Sequence, residues 1–183
     1  LANKPAKEDL IEYFNNSQIS TFRASEAYQR TVSETRGELW KGLIDWIEGR
    51  LFRYHRKDAY SILEIGTKNV GWIELLLKSS FVYHCSVEDP LPPVKDMPCE
   101  SEVDLVTLLD VLQRHYDPLE PLKNAYEKLK PGGILMGTCR SGSGFDILTL
   151  RDASDSVFPF DHVTLPSPMA MELLLQKAGY NVL

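Results

Sequence analysis

The rhythm of apolar positions changes near residue 57. Before it, spacing is helical: Leu39, Leu43, Ile44, Trp46, Ile47 and Leu51 recur at intervals of three and four, predicting a helix over 38–54. Lys7–Asn15 and Ser25–Thr35 predict two shorter helices, and Trp40, Trp46 and Tyr54 read as packing residues of this helical segment. Arg50, Arg53, Arg56 and Lys57 gather at its end, where a helix C-terminus favours cations; a small anion patch is the alternative. Beyond residue 57, short apolar runs alternate with amphipathic ones. Ser61–Ile65, Phe81–Val87, Val103–Leu109 and Ile134–Cys139 predict strands, and Gly71–Lys78, Asp117–Leu129 and Ser167–Ala178 predict helices. Pro118 and Pro121 fit only a first helical turn. In "LKPGG", Pro131 forbids helix and the glycine pair supplies a left-handed turn. Ser167 is an N-cap candidate ahead of Pro168, and Gly179 ends that helix.

Strand–helix alternation with short connections means α/β: a Rossmann-like, doubly wound, mostly parallel sheet with an N-terminal helical extension. The expected division is a helical cap over residues 1–57 and the sheet domain over 58–183. Ligands of such sheets bind at the carboxyl ends of the strands. Here those ends are Gly66–Gly71, Glu88–Pro90, Asp110–His115 and Arg140–Asp146.

Composition narrows the classes. Hydrophobic residues make up 43% and charged residues 25% of the 183, ordinary for a globular chain. A net charge of −6 argues against a nucleic-acid or anionic-membrane surface, and no apolar run reaches membrane-spanning length. Three cysteines without metal-ligand spacing, Cys85, Cys99 and Cys139, point to reduced thiols in a cytoplasm and to no metal site. Beginning at Leu1 and stopping at "AGYNVL", where a strand would begin, the chain reads as a piece of a longer protein.

Phosphate loops fit poorly. Gly66 and Gly71 frame G-x-x-x-x-G, but Trp72 and Ile73 stand where a phosphate-binding loop needs Lys and Ser/Thr. Lys68 displaces the second glycine of a dinucleotide turn. "GTCRS" lacks the second glycine of a nucleophile elbow. What remains is a strand ending in a carboxylate, Glu64, and the next strand ending in another, Glu88. An acid there suits two ribose hydroxyls, so the implied ligand is a nucleoside with a cationic or zwitterionic appendage and no phosphates.

"ILEIGTKNVG", "SVEDP", "DLVTLLDVLQRHYDP" and "LKPGGILMGTCRSGSGFD", in this order, resemble the class I S-adenosylmethionine-dependent methyltransferases over about residues 60–183. The resemblance implies S-adenosyl-L-methionine as cofactor and assigns roles by position. Glu64 and Gly66 would line its methionine end, Lys68 would stand on the turn, and Gly71 would open the following helix. Glu88 would take the ribose hydroxyls, Asp96 or Met97 would approach the adenine, and Asp110 would sit near the amino group or the substrate. The family's glycine motif is degenerate at Lys68 and Val70, and the short Glu88–Asp104 interval leaves no room for the usual helix and strand. Candidate catalytic residues are His115, Arg140, Asp146 and His162; a loop or packing role stands open for each. The expectation is a cytoplasmic methyltransferase acting on a small-molecule or sugar-like acceptor. It has neither nucleic acid nor membrane as partner, and its oligomeric state is open. The alternative is a methyltransferase-like binding or assembly module without catalysis.

Overall fold

The computed structural model describes residues 6–14, 21–22, 25–54, 58–66, 70–88, 102–154 and 162–183. Four parallel strands form one sheet in the order β2-β1-β3-β4: β1 (Tyr60–Ile65), β2 (Val82–Glu88), β3 (Val103–Leu109) and β4 (Leu129–Thr138). The helices are α1 (Lys7–Phe14), α2 (Glu26–Tyr54), α3 (Val70–Lys78), α4 (Leu119–Lys128), α5 (Phe145–Leu150) and α6 (Pro168–Lys177). The doubly wound α/β expectation holds.

β1 and β3 are buried along their whole length, as parallel strands covered on both faces must be. Alternation sends their side chains into two cores. Tyr60, Ile62, Leu105 and Leu109 pack with Trp72 and Leu76 of α3 and Trp40, Ile47 and Leu51 of α2. Leu63, Ile65, Val106 and Leu108 pack on the other face, with Leu122 and Ala125 of α4 and Ala178 beyond α6. The helices expected over Ser25–Thr35 and Glu38–Tyr54 are one, α2, running through Gly37. Trp40 is a core residue. Trp46 and Tyr54 are half-exposed instead, and the Arg50 guanidinium lies 5.0 Å from the Trp46 ring centroid.

β4 is longer than its apolar run. Val103 pairs with Leu129, but Leu105 already pairs with Ile134, so Lys130–Gly133 bulge from the ladder. Gly132 takes a φ of 78°, the left-handed turn expected of "PGG". Ser167 caps α6 by accepting the Ala170 N–H at 3.2 Å, and Gly179 ends it at a φ of 101°. α5 lies within what reads in sequence as a plain polar loop.

At the amino ends of the strands, Asp104 accepts from the Ser61 N–H at 3.0 Å, from the Ser61 hydroxyl at 2.9 Å and from Lys130 Nζ at 3.2 Å. This buried cluster ties β1, β3 and the bulge of β4 together.

Candidate functional site

From β1 the chain winds outward to β2, then returns across β1 to β3. The carboxyl ends of β1 and β3 are therefore the switch point, where helices leave on opposite faces and a crevice opens. Gly66 follows β1, Asp110 follows β3, and Glu88 closes β2 with its backbone level with Ile65. Lys68, Asp96 and Met97 lie outside the described residues, as do Arg56, Lys57 and Cys99.

Asp110 is firmly fixed at this edge. Its backbone has a φ of 55°, a left-handed conformation costing a non-glycine residue roughly 1–2 kcal/mol but tolerated by Asp. Its N–H donates to Thr138 O at 3.0 Å and Thr138 Oγ1 at 3.2 Å. One carboxylate oxygen accepts from Thr138 Oγ1 at 3.3 Å. The other accepts from Arg36 Nη1 at 2.6 Å, from helix α2 and seventy-four positions away. The pair is partly exposed, 40% for the Arg36 side chain and 21% for that of Asp110.

Helix α2 lies close over Gly71. A Cβ on Gly71 would stand 2.3 Å from Ser33 Oγ and 3.0 Å from the Trp40 ring, so only glycine allows this approach. Trp40 packs against Trp72, ring centroids 6.4 Å apart. Ser33, Arg36 and Trp40 thus form a stripe down one side of α2, facing the start of α3 and the end of β3.

Glu64 occupies a different environment from the one its position suggested. It is 2% exposed, on the face of β1 that meets α3. Trp72 Nε1–H donates to its Oε2 at 2.9 Å, and the hydroxyl of Thr107, its cross-strand neighbour, donates to the same oxygen. Its other oxygen lies beneath Gly66, 2.4 Å from where a Cβ would stand. Burial pushes the carboxyl up to about 7 from an ordinary 4.5, against the opposing pull of the Thr107 and Trp72 hydrogen bonds. Glu64 braces Gly66 from below and ties β1 to Trp72 and Thr107.

The segment after Asp110 is stitched to the chain beyond residue 161. The Gln113 carbonyl accepts from Val163 N–H at 2.7 Å and Thr164 N–H at 3.1 Å, and Thr164 Oγ1 donates to the His115 carbonyl at 3.4 Å. This brings His115 and His162 to one segment, with His162 buried. His115 Nε2 is buried with no hydrogen-bond partner among the described residues. Burial lowers its pKa below 6.5, outweighing Glu120 and Asp117, so the ring is neutral at pH 7. Arg140 is exposed just past β4. Asp146 accepts from Ser154 Oγ at 2.8 Å and closes its own loop around α5. Sequence reasoning missed Arg36, Ser33, Thr107 and Thr138, whose roles arise from contacts across elements. Among the described residues no group of three or more His, Cys, Asp or Glu is placed to hold a metal, and no helix is long and apolar enough to cross a membrane.

A cavity of about 930 Å³ runs along the outer edge of β4 between Trp46, Tyr54, Tyr126, Met171 and Val182. It is lined mainly by apolar side chains and reaches Thr138 and Arg140 at the carboxyl end of β4.

The geometry has known counterparts. The methyltransferase chain in a complex with the Haloferax volcanii Trm112 methyltransferase activator superposes with a TM-score of 0.67 at 14% identity, over 90% of this chain and 77% of that one. A Bacillus halodurans protein named as a methyltransferase superposes at 0.51 with 19% identity, over 68% and 61%. A Thermotoga maritima S-adenosylmethionine-dependent methyltransferase aligns more loosely, at 0.47 and 19%, over 85% and 80%. No curated protein matches by sequence. The Haloferax complex corrects the expectation of a small-molecule acceptor as the partner, because that neighbour stands with an activator protein. The crevice residues fit the family's methyl donor: a carboxylate is pinned at the switch point by Thr138, and an acid ends the adjoining strand. A model of the methyltransferase domain matches residues 29–183, and the chain accordingly belongs to this family, class I, whose methyl donor is S-adenosylmethionine.

Proposed function

We propose that the chain transfers a methyl group from S-adenosylmethionine bound across the carboxyl ends of β2, β1 and β3. The observation that carries this is Asp110: a partly exposed acid in a strained backbone conformation, held at the strand switch point by Thr138. Strain of this kind persists where the surrounding structure over-determines a residue. In this reading Gly66 and Gly71 flank the turn under the donor, with Lys68 on it. Glu88 accepts the ribose hydroxyls, and Asp96 or Met97 borders the adenine. Asp110 faces the methionine end, and Glu64 supports the turn from below. Bound there, the donor supplies an electrophilic methyl on a sulfonium, and the protein aligns an acceptor with it.

His115, neutral at working pH, is the group suited to take a proton from the acceptor. His162, Arg140 and Asp146 form the surrounding lip. Residues 1–57 act as the cap, with α2 excluding water from the crevice. By analogy with the Haloferax neighbour, the assembly includes a protein partner. Exposed apolar side chains on α5 and α6, Phe145, Leu148, Met169 and Leu173, supply a surface for one. Cys85 and Cys139 form no disulfide, which suits a reducing cytoplasm.

Titration calorimetry with S-adenosylhomocysteine tests the reading. Wild type should bind, and Glu88→Ala should bind about 10- to 100-fold more weakly, the equivalent of one or two charge-assisted hydrogen bonds. No heat from wild type at millimolar ligand refutes the assignment and leaves a binding module without the cofactor.

A further inference from the structure

We propose that residues 163–166 form a gate over His115, a strap across the carboxyl ends of β3 and β4 that swings aside to admit the acceptor. This rests on the reading of His115 as the base and adds how that base is reached.

The strap is fastened on both sides. Toward β3, the Gln113 carbonyl accepts from the Val163 N–H at 2.7 Å and the Thr164 N–H at 3.1 Å, and the Thr164 hydroxyl donates to the His115 carbonyl at 3.4 Å. Toward β4, the Pro166 carbonyl accepts from the Gly142 N–H at 3.1 Å. A Cβ on Gly142 would overlap the Leu165 carbonyl oxygen, so the missing side chain lets the strap lie this close. Just beyond the strap, Ser167 caps α6 and Pro168 opens it, a rigid end from which a short segment can swing. Val163, buried, supplies the apolar contact that holds the strap shut at rest.

The shut state is poorly satisfied underneath. Gln113 is 1% exposed, and its side-chain oxygen has no hydrogen-bond partner among the described residues; His115 Nε2 is buried in the same condition. A buried polar atom without a partner disfavours the state that buries it. Opening wets both atoms, and the donors of the strap bond to water instead. The shut state is also idle, because a base must come within hydrogen-bond reach of the proton it takes. Segments that open for ligands come from the weakly held parts of a fold, whereas β1 and β3 are buried along their whole length and open only with the domain.

Two measurements of access test this on the intact chain: amide hydrogen exchange read residue by residue, and carbethoxylation of His115 by diethyl pyrocarbonate, located by mass spectrometry. In wild type the Val163 and Thr164 amides should exchange at least about 100-fold faster than those of β1 and β3, and His115 should be labelled far more slowly than free imidazole. Gly142→Ala unfastens the β4 side and should speed both exchange at the strap and labelling of His115 about 10-fold, with the strand amides unchanged. Thr164→Val keeps the shape, removes the bond to the His115 carbonyl and should speed both about 2- to 5-fold; it carries the test if Gly142→Ala does not fold. Strap amides that exchange only together with the strands would mean a fixed wall and overturn the proposal. So would faster strap exchange with unchanged labelling, since the strap would then not cover the histidine. Neither readout involves methyl transfer. Loss of the base reading shows separately, as unchanged turnover in His115→Gln, and would overturn the gate by removing what it guards.

Discussion

Replacing Glu64 by Gln isolates one ionisation in the core. The carboxyl is 2% exposed and titrates near 7 in the fold against an ordinary 4.5. Between these values the folded chain holds a proton that the unfolded chain has released, so rising pH favours unfolding. The loss begins near pH 4.5 and is complete just above pH 7. At 1.36 kcal/mol per unit, the shift amounts to about 3 kcal/mol. Gln keeps the shape and an oxygen able to accept from Trp72 Nε1 and the Thr107 hydroxyl, but it cannot ionise. Urea titrations followed by tryptophan fluorescence at pH 5, 6, 7 and 8 provide the measurement. The stability of wild type relative to Glu64→Gln should fall by about 2–3 kcal/mol from pH 5 to pH 8, the rest of the loss lying below pH 5. Any constant cost of burying the amide cancels in that difference, as do all other titrating groups. Parallel pH profiles for the two proteins would show that Glu64 does not change protonation on folding and would refute the argument. A relative rise with pH would show that the hydrogen bonds outweigh burial.

Two further substitutions probe the packing. Gly71→Ala sets a Cβ against Ser33 Oγ and the Trp40 ring and should cost about 1–3 kcal/mol by pushing α2 away; in a double-mutant cycle with Ser33→Gly the two changes should couple favourably, and strict additivity would exclude the clash. Asp104→Ala leaves the Ser61 N–H buried without its acceptor and should cost about 3 kcal/mol in urea denaturation, with Asp104→Asn costing less than half of that; a change below about 0.5 kcal/mol would remove the cluster from the account of stability.

The strands were legible because burial on both faces demands near-continuous apolar runs, as in "YSILEI" and "VDLVTLL". Turn chemistry was legible at Gly132, Ser167 and Gly179, where backbone sterics act locally. The single long α2 was not. A glycine inside a helix costs about 1 kcal/mol, and nothing local at Gly37 reveals the long-range packing of Trp40, Ile47 and Leu51 that outweighs it. Helix α5 was missed because its N-cap is Gly144, so no capping side chain marks it, and its six residues, FDILTL, are too few to set a helical period. At the site, Gly66, Glu88 and Asp110 could be placed at strand ends from the rhythm alone. That Glu64 serves the core depends on Thr107, in another strand, and on Trp72, in the first turn of the neighbouring helix. Arg36 carries no signal at all until the fold brings it across to Asp110.

The Ser61–Asp104–Lys130 cluster has a consequence for changing this protein deliberately. Asp104 and Asp110 lie at opposite ends of one strand, about 20 Å apart at the usual rise. Substitutions that far apart without shared partners combine almost independently. Tightening the amino end, by shortening the Lys130–Gly133 bulge or burying the Lys130 ammonium more fully, should raise heat resistance while leaving the opposite rim free to be tuned for a new acceptor. A library that confines stabilising changes to one rim and varied chemistry to the other would let each property be selected in turn.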